Sequence, residues 1–170
     1  MTTETVENLL DWLRDAHAME EQSEKMWRGQ AERLENYPHY KARVEQHIEE
    51  TCGQLRALSA CIERLGSSPS VVKDASAKVF AFGQTISGMM VSDEVVKSAM
   101  SGYVFEQMEV AAYTVLIAGA QAAGDVETQR ACEQILLEEI AMAEWLRENL
   151  PELTQTFLAR DSVDSDAAKR

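Results

Sequence analysis

Between Ala99 and Ala123 the chain places two carboxylates, Glu106 and Glu109, in a run whose only other ionisable side chains are Tyr103 and Tyr113. Residues three apart in a helix share a side, so both acids point one way. Val110, Ile117 and Ala120 wrap the rest of that helix in apolar surface. A helix that is apolar all round is a buried helix. A buried ionised carboxylate is costly unless it is paired, hydrogen-bonded or bound to a metal. The chain must therefore be able to surround these two acids with partners.

The apolar residues elsewhere follow helical spacing, which predicts an all-α domain. The first helix is expected from Thr3 or Thr5 to about Leu34. Its stripe is Leu9, Leu13, Ala16, Glu20, Trp27, Ala31 and Leu34, with Glu20 in the middle and His17 one turn before it. Asn36-Tyr37-Pro38 breaks it. The second helix runs from about Pro38 to Leu65 on Val44, Ile48, Thr51, Leu55, Leu58, Ile62 and Leu65, with His47, Glu50 and Gln54 to one side of the stripe. Gly66 to Ser70 is a loop, and Ser70 to Met90 is a weakly helical segment long enough to cross the length of a bundle. Ser92-Asp93-Glu94 opens the third long helix, which ends near Ala123. Gly124-Asp125 leads into the fourth, from Val126 to about Asn149, on Cys132, Ile135, Glu139, Met142, Leu146 and Leu150. Glu139, like Glu20, is centred on an apolar face. Pro151 allows a short further turn through Phe157. Residues 1–160 form one domain in this reading, and 161–170 a disordered tail.

Each long helix thus carries acid on or near its core side: Glu20, Glu50, Glu106 with Glu109, and Glu139. Antiparallel packing brings these to one level, the arrangement of the di-iron carboxylate bundles. Two divalent cations carry four positive charges, and oxygen-rich sites with some imidazole suit iron and manganese. A short internal repeat points the same way. His17 to Glu21 resembles Glu106 to Val110, and Ile48 to Thr51 resembles Leu137 to Ile140, which pairs Glu20 with Glu109 and Glu50 with Glu139. The usual Glu-x-x-His motif is absent: Gly53 and Met142 stand three residues after Glu50 and Glu139. The second helix instead offers His47 three residues before Glu50, and Gln54 as a neutral oxygen ligand or a donor behind the ligands.

The segments Leu13–Gln22, His47–Gln54, Met108–Tyr113 and Leu137–Leu146 resemble the YciE/YciF family of ferritin-like proteins. The patterns His-x-x-Glu-Thr-x-x-Gln from His47 and Glu-x-Ala-Ala-Tyr from Glu109 are the most specific parts, and the likeness extends from Val6 to Leu150. It implies a ferritin-like four-helix bundle with an added crossover helix, a two-metal site, a homodimer and a part in bacterial stress responses. It carries over Glu20, Glu50, Glu109 and Glu139 as metal ligands, with His47, Gln54 and Glu106 as candidates. The expected metal is iron, two ions per chain, or manganese. The expected chemistry is oxidation of Fe(II), or reduction of O2 or peroxide. The alternative is a structural or partner-binding bundle with a vestigial site.

The composition excludes several other classes. A net charge of −13 opposes non-specific binding to nucleic acid or anionic membrane. The two acids interrupt the one apolar run long enough to suggest a membrane span. Cys52, Cys61 and Cys132 form no CxxC pair, and with an N-terminus lacking a basic region and apolar core they suggest free thiols in the cytoplasm. No glycine-rich phosphate loop, Ser-His-Asp order or Cys-His pair stands out. Tyr103 and Tyr113 could donate to the acids or simply pack. His17 reads as core edge and His39 as part of the Pro38 turn.

Overall fold

The structure, a computed structural model, describes residues 3–68 and 95–169. Among these residues there are five helices and no strand: α1 (Thr3–Ala31), α2 (Pro38–Arg64), α3 (Val95–Ala123), α4 (Val126–Asp161) and α5 (Ser165–Ala168). The all-α expectation holds. The weakly helical segment from Ser70 to Met90, read as a crossover, and the Ser92-Asp93-Glu94 helix start lie outside the described residues.

Local chemistry sets the ends. Gly66 ends α2 in the left-handed region (φ +79°), with the Ser67 amide donating to the Ile62 carbonyl. Gly124 (φ +65°) ends α3, and the Asp125 amide donates to the Ala120 carbonyl. Asp125 then caps α4: its carboxylate accepts from the Thr128 amide (3.1 Å) and hydroxyl (2.7 Å) and from Arg64 at the end of α2.

The four long helices pack as a bundle in which neighbours run antiparallel. On the α1–α3 seam Trp27 meets Gly102 while Trp12 meets Gly119. On the α2–α4 seam Arg64 meets Asp125 while Gln54 meets Glu139. The apolar core divides between the two ends. One cluster gathers Leu9, Leu13, Leu58, Ile62, Leu116 and Ile135; the other gathers Trp27, Leu34, Val44, Ala99, Met142 and Leu146. The buried acids of α1, α3 and α4, with His47 and Gln54 of α2, form a polar layer in the middle of the bundle, with one apolar cluster toward each end.

Two boundaries differ from expectation. α4 does not end near Asn149 with a short further turn through Phe157 but runs on through Pro151 to Asp161, with the Asn149 amide and the Thr154 hydroxyl donating to the Trp145 and Leu150 carbonyls around the proline. The tail, read as disordered, carries the one-turn helix α5. Asp164 caps it, Ala168 is fully buried, and the Asn36 and Tyr37 side chains donate to the Ala167 and Ala168 carbonyls. Composition misses this docking because it acts on the main chain and on one small side chain.

Gly102 has a steric role. A Cβ there would lie 2.3 Å from the Trp27 ring. Replacing Gly102 by Ala should cost about 1–3 kcal/mol of stability by overpacking. Gly29, also helical but with nothing within 4 Å of such a Cβ, should instead gain about 0.5–1 kcal/mol on replacement by Ala. Urea denaturation of both variants reads the contrast, and equal effects would contradict it.

Candidate metal centre

The polar layer is built from one turn each of α1, α3 and α4 and two turns of α2. Glu20 on α1, His47 on α2, Glu106 and Glu109 on α3 and Glu139 on α4 are each fully buried, and Gln54 is 1% exposed. The nearest approach is made by His47, Glu106 and Glu139, whose ligand atoms all lie within 4.8 Å of one another. His47 Nε2 is 3.3 Å from Glu106 Oε2 and 3.8 Å from Glu139 Oε2. These are ion-pair distances, but the ring N–H is not aligned for a hydrogen bond to either. This buried His/Glu/Glu group could hold a metal ion.

Three donors from three helices fix the carboxylates. Trp27 Nε1 donates to Glu106 Oε1 at 3.1 Å. The Tyr113 hydroxyl donates to Glu20 Oε1 at 2.5 Å. Gln54 Nε2 donates to Glu139 Oε1 at 2.5 Å. The first two contacts are reciprocal across the antiparallel α1–α3 seam. Trp27 follows Glu20 by two turns and reaches Glu106; Tyr113 follows Glu106 by two turns and reaches Glu20. The Trp27 indole also stands edge-on to His47, ring centres 5.7 Å apart.

What remains without a partner is informative. Of the ten buried side-chain N and O atoms lacking a hydrogen bond among the described residues, seven belong to these six side chains: Glu20 Oε2, His47 Nε2, Gln54 Oε1, Glu106 Oε2, both Glu109 oxygens and Glu139 Oε2. Buried polar atoms are normally satisfied. One acceptor-rich group at one level leaves room for a shared cationic partner.

Electrostatics follow from the same burial. Burial pushes the Glu20 carboxyl up to about 8; the Tyr113 hydroxyl opposes and the Glu106 carboxylate reinforces the shift. Burial also drives Glu109 well above the usual carboxyl range, with Glu20, Glu139 and Glu106 adding to it and Ser23 opposing. Glu139 is raised by burial and then by the charges of Glu106 and Glu20. Burial alone would lower His47, but the neighbouring Glu106 charge and the contacts with Glu106 and Glu50 override it and raise it to about 9.

Not every expected residue joins the group. Glu50 sits on its outer side, half-buried, with Oε2 2.9 Å from His47 Nδ1 and further contacts to Arg43 (3.2 Å) and Gln46 (2.8 Å). Those contacts hold its carboxyl below the ordinary value although burial opposes this. Gln54 is within reach of Glu138 and Glu139. His17 lies apart, 3.1 Å from the Ser59 hydroxyl, and His39 is exposed with its ring against Trp145. Tyr103 is half-buried, with its ring packed on the second apolar cluster. In the sequence Trp27 reads only as an apolar stripe residue, and no pattern there singles out Ser23 or Arg43. The signal for Trp27 was its place two turns after Glu20 on the same face.

Protein kept free of divalent cations by a chelator should lose stability as pH rises. Between its ordinary value of 4.5 and its folded value of about 8, Glu20 keeps in the fold a proton that the unfolded chain has released, so the slope is negative there. His47 has the same sign: its contribution is complete below 6.5 and is lost as pH climbs through about 9. The thermal midpoint by circular dichroism should fall by ~10 °C from pH 5 to 9. A midpoint that rises over that range would contradict the burial described here.

Known proteins resemble the chain along nearly its whole length. A crystal structure of a Xanthomonas campestris pv. campestris protein is 38% identical, with a TM-score of 0.80 over 94% of this chain and 99% of that one. YcfI from Rhodopseudomonas palustris, provisionally assigned a structural role, is 25% identical, with a TM-score of 0.66 over 86% of this chain and 94% of its own. Residues 4–159 match a domain of unknown function, and the chain therefore belongs to the DUF892 family.

Proposed function

We propose that the polar layer is a two-metal carboxylate centre. It would oxidise Fe(II), or pass electrons to O2 or peroxide, as a protective activity in a bacterial stress response. The observation that carries this reading is the set of seven unpartnered N and O atoms on six side chains drawn from all four long helices. Four buried carboxylates, Glu20, Glu106, Glu109 and Glu139, would balance the four charges of two divalent ions, and His47 supplies the nitrogen donor. Iron is the first choice and manganese the second, because both accept mostly oxygen ligands. Bound there, the metal pair would supply one-electron redox chemistry.

The chain's own groups have definable tasks. Glu50 accepts from His47 Nδ1 and would orient the ring so that Nε2 faces the carboxylates, a positioning role outside the ligand set. Tyr113, Trp27 and Gln54 hold one oxygen each of Glu20, Glu106 and Glu139, leaving the other oxygen for a cation. The two apolar clusters exclude bulk water from the layer. The likeness to the YciE/YciF proteins supports the ferritin-like and stress-response parts of the reading. Three free cysteines suit the cytoplasm, and we take the working form to be a homodimer. No helix among the described residues is long and apolar enough to cross a membrane.

A second reading is a structural or partner-binding bundle whose site holds protons in place of metal. The raised carboxyls favour it, since neutral acids can stay buried at neutral pH, as does the structural role provisionally assigned to YcfI.

Metal analysis by inductively coupled plasma mass spectrometry, on protein purified without chelator, separates the two. The metal reading expects roughly two iron or manganese atoms per chain, lost together with Fe(II) oxidation in Glu20→Ala and Glu139→Ala. Glu50→Ala should keep the stoichiometry and weaken affinity by roughly 10–100-fold. The structural reading expects no metal, no anaerobic Fe(II) uptake, and stabilisation by Glu20→Gln and Glu139→Gln.

A further inference from the structure

The polar layer has hydrocarbon toward both ends, and on the α1–α3 seam the buried Trp27 indole covers it. Trp27 lies on Gly102 and Trp12 on Gly119, each so close that a Cβ would collide with or crowd the ring. The α2–α4 seam is different: a groove runs along it, and its wall reaches the layer. Three carboxylates and three carboxamides line it, Glu49, Glu50, Glu138, Gln46, Gln54 and Gln134, with no lysine or arginine among the lining residues. Gly53 faces the groove without a side chain.

The acids grade inward. Glu49 is exposed, Glu50 and Glu138 are half-buried, and Glu139 is fully buried. Gln54 joins the last two steps. Its Nε2 donates to Glu138 Oε2 (3.0 Å) on the groove side and to Glu139 Oε1 in the layer. Its Oε1, on a side chain 1% exposed that lines the groove, has no hydrogen-bond partner. An amide carries an acceptor and a donor of similar size on one carbon. With the N–H2 inward it holds the two carboxylates together. Turned by half a rotation it would offer oxygen to a cation and free both carboxylates to accompany it.

We propose that the α2–α4 groove is the route by which a hard divalent cation reaches the buried group, and that Gln54 is its gate. The inference rests on the metal-centre reading and adds the path and the selecting residues. The acids from Glu49 to Glu139 offer oxygen and no thiolate, on a groove whose remaining wall is Gly53, Ala57, Ala131 and Ile135, which suits Fe(II), Mn(II) or Co(II) in preference to soft metals that seek thiolate. Glu50 is paired with Arg43, so Glu49 and Glu138 are the carboxylates that raise the local concentration of cations at the mouth.

The test is the rate at which the full chain takes up Co(II), followed by stopped-flow quenching of tryptophan emission in a Trp12→Phe, Trp145→Phe background that leaves Trp27 as the one indole. That indole donates to Glu106 and so senses occupancy. Gly53→Leu plugs the groove; its Cβ has room, the nearest atom being Arg56 Nη2 at 3.7 Å. Glu138→Gln removes one charge at the gate. Glu133→Gln removes one from the same helix outside the groove, where the acid is exposed and bonded to Gln129. We expect Gly53→Leu to slow uptake by about ten-fold or more and Glu138→Gln by roughly five-fold. Glu133→Gln should match the unmodified chain, and all should bind the same amount of Co(II) at equilibrium dialysis. Unchanged rates in the first two variants with unchanged binding would overturn the route and leave the metal centre standing. Slower uptake with reduced final binding would also overturn it, since the residues would then belong to the site itself. No Co(II) bound by the unmodified chain would remove the metal centre and the route with it.

Discussion

Four carboxylates and one imidazole share a buried layer in the middle of this bundle, and three of the four long helices carry a donor that makes it more tolerable. An ionised group removed from water costs several kcal/mol unless its neighbours replace the lost solvation. Here the replacement comes across helix seams. An indole on α1 serves an acid on α3, a phenol on α3 serves an acid on α1, and an amide on α2 serves an acid on α4. No helix satisfies its own acid, so the layer exists only when the bundle is assembled.

The internal repeat clarifies an asymmetry. Pairing the two helical hairpins sets Glu20 against Glu109 and Glu50 against Glu139. Glu20, Glu109 and Glu139 are fully buried, but Glu50 is half-buried, drawn outward by Arg43 and Gln46. His47, one turn earlier on α2, reaches inward where symmetry would put the fourth acid. The outcome is a carboxylate cage with one nitrogen corner, and Glu50 backs that corner.

The helical architecture was legible because long amphipathic stripes leave few alternatives. The α1 stripe from Leu9 to Leu34 is buried as read, and Glu106 and Glu109 were exposed as anomalies by the apolar run around them. On α2 the buried face is turned from the apolar stripe toward His47 and Gln54, while Leu55 is only half-buried. Polar side chains that belong to a core carry no hydrophobic signal, so periodicity places the face beside its true centre. The distinction between an acid that enters the layer and one that steadies a histidine depends on side-chain direction, which spacing leaves open. The tail escaped notice for a related reason: Tyr37 and Asn36 hold it through carbonyl oxygens, which every sequence possesses.

The contact of Trp27 with Gly102 has an evolutionary consequence. The indole fills the space that any side chain at position 102 would need, and its nitrogen also holds Glu106. The two positions should therefore exchange volume across relatives. Where a smaller residue stands at 27, alanine or serine becomes admissible at 102, and the acid at 106 must find its hydrogen bond elsewhere. Tryptophan at one position and glycine at the other should therefore vary as a coupled pair.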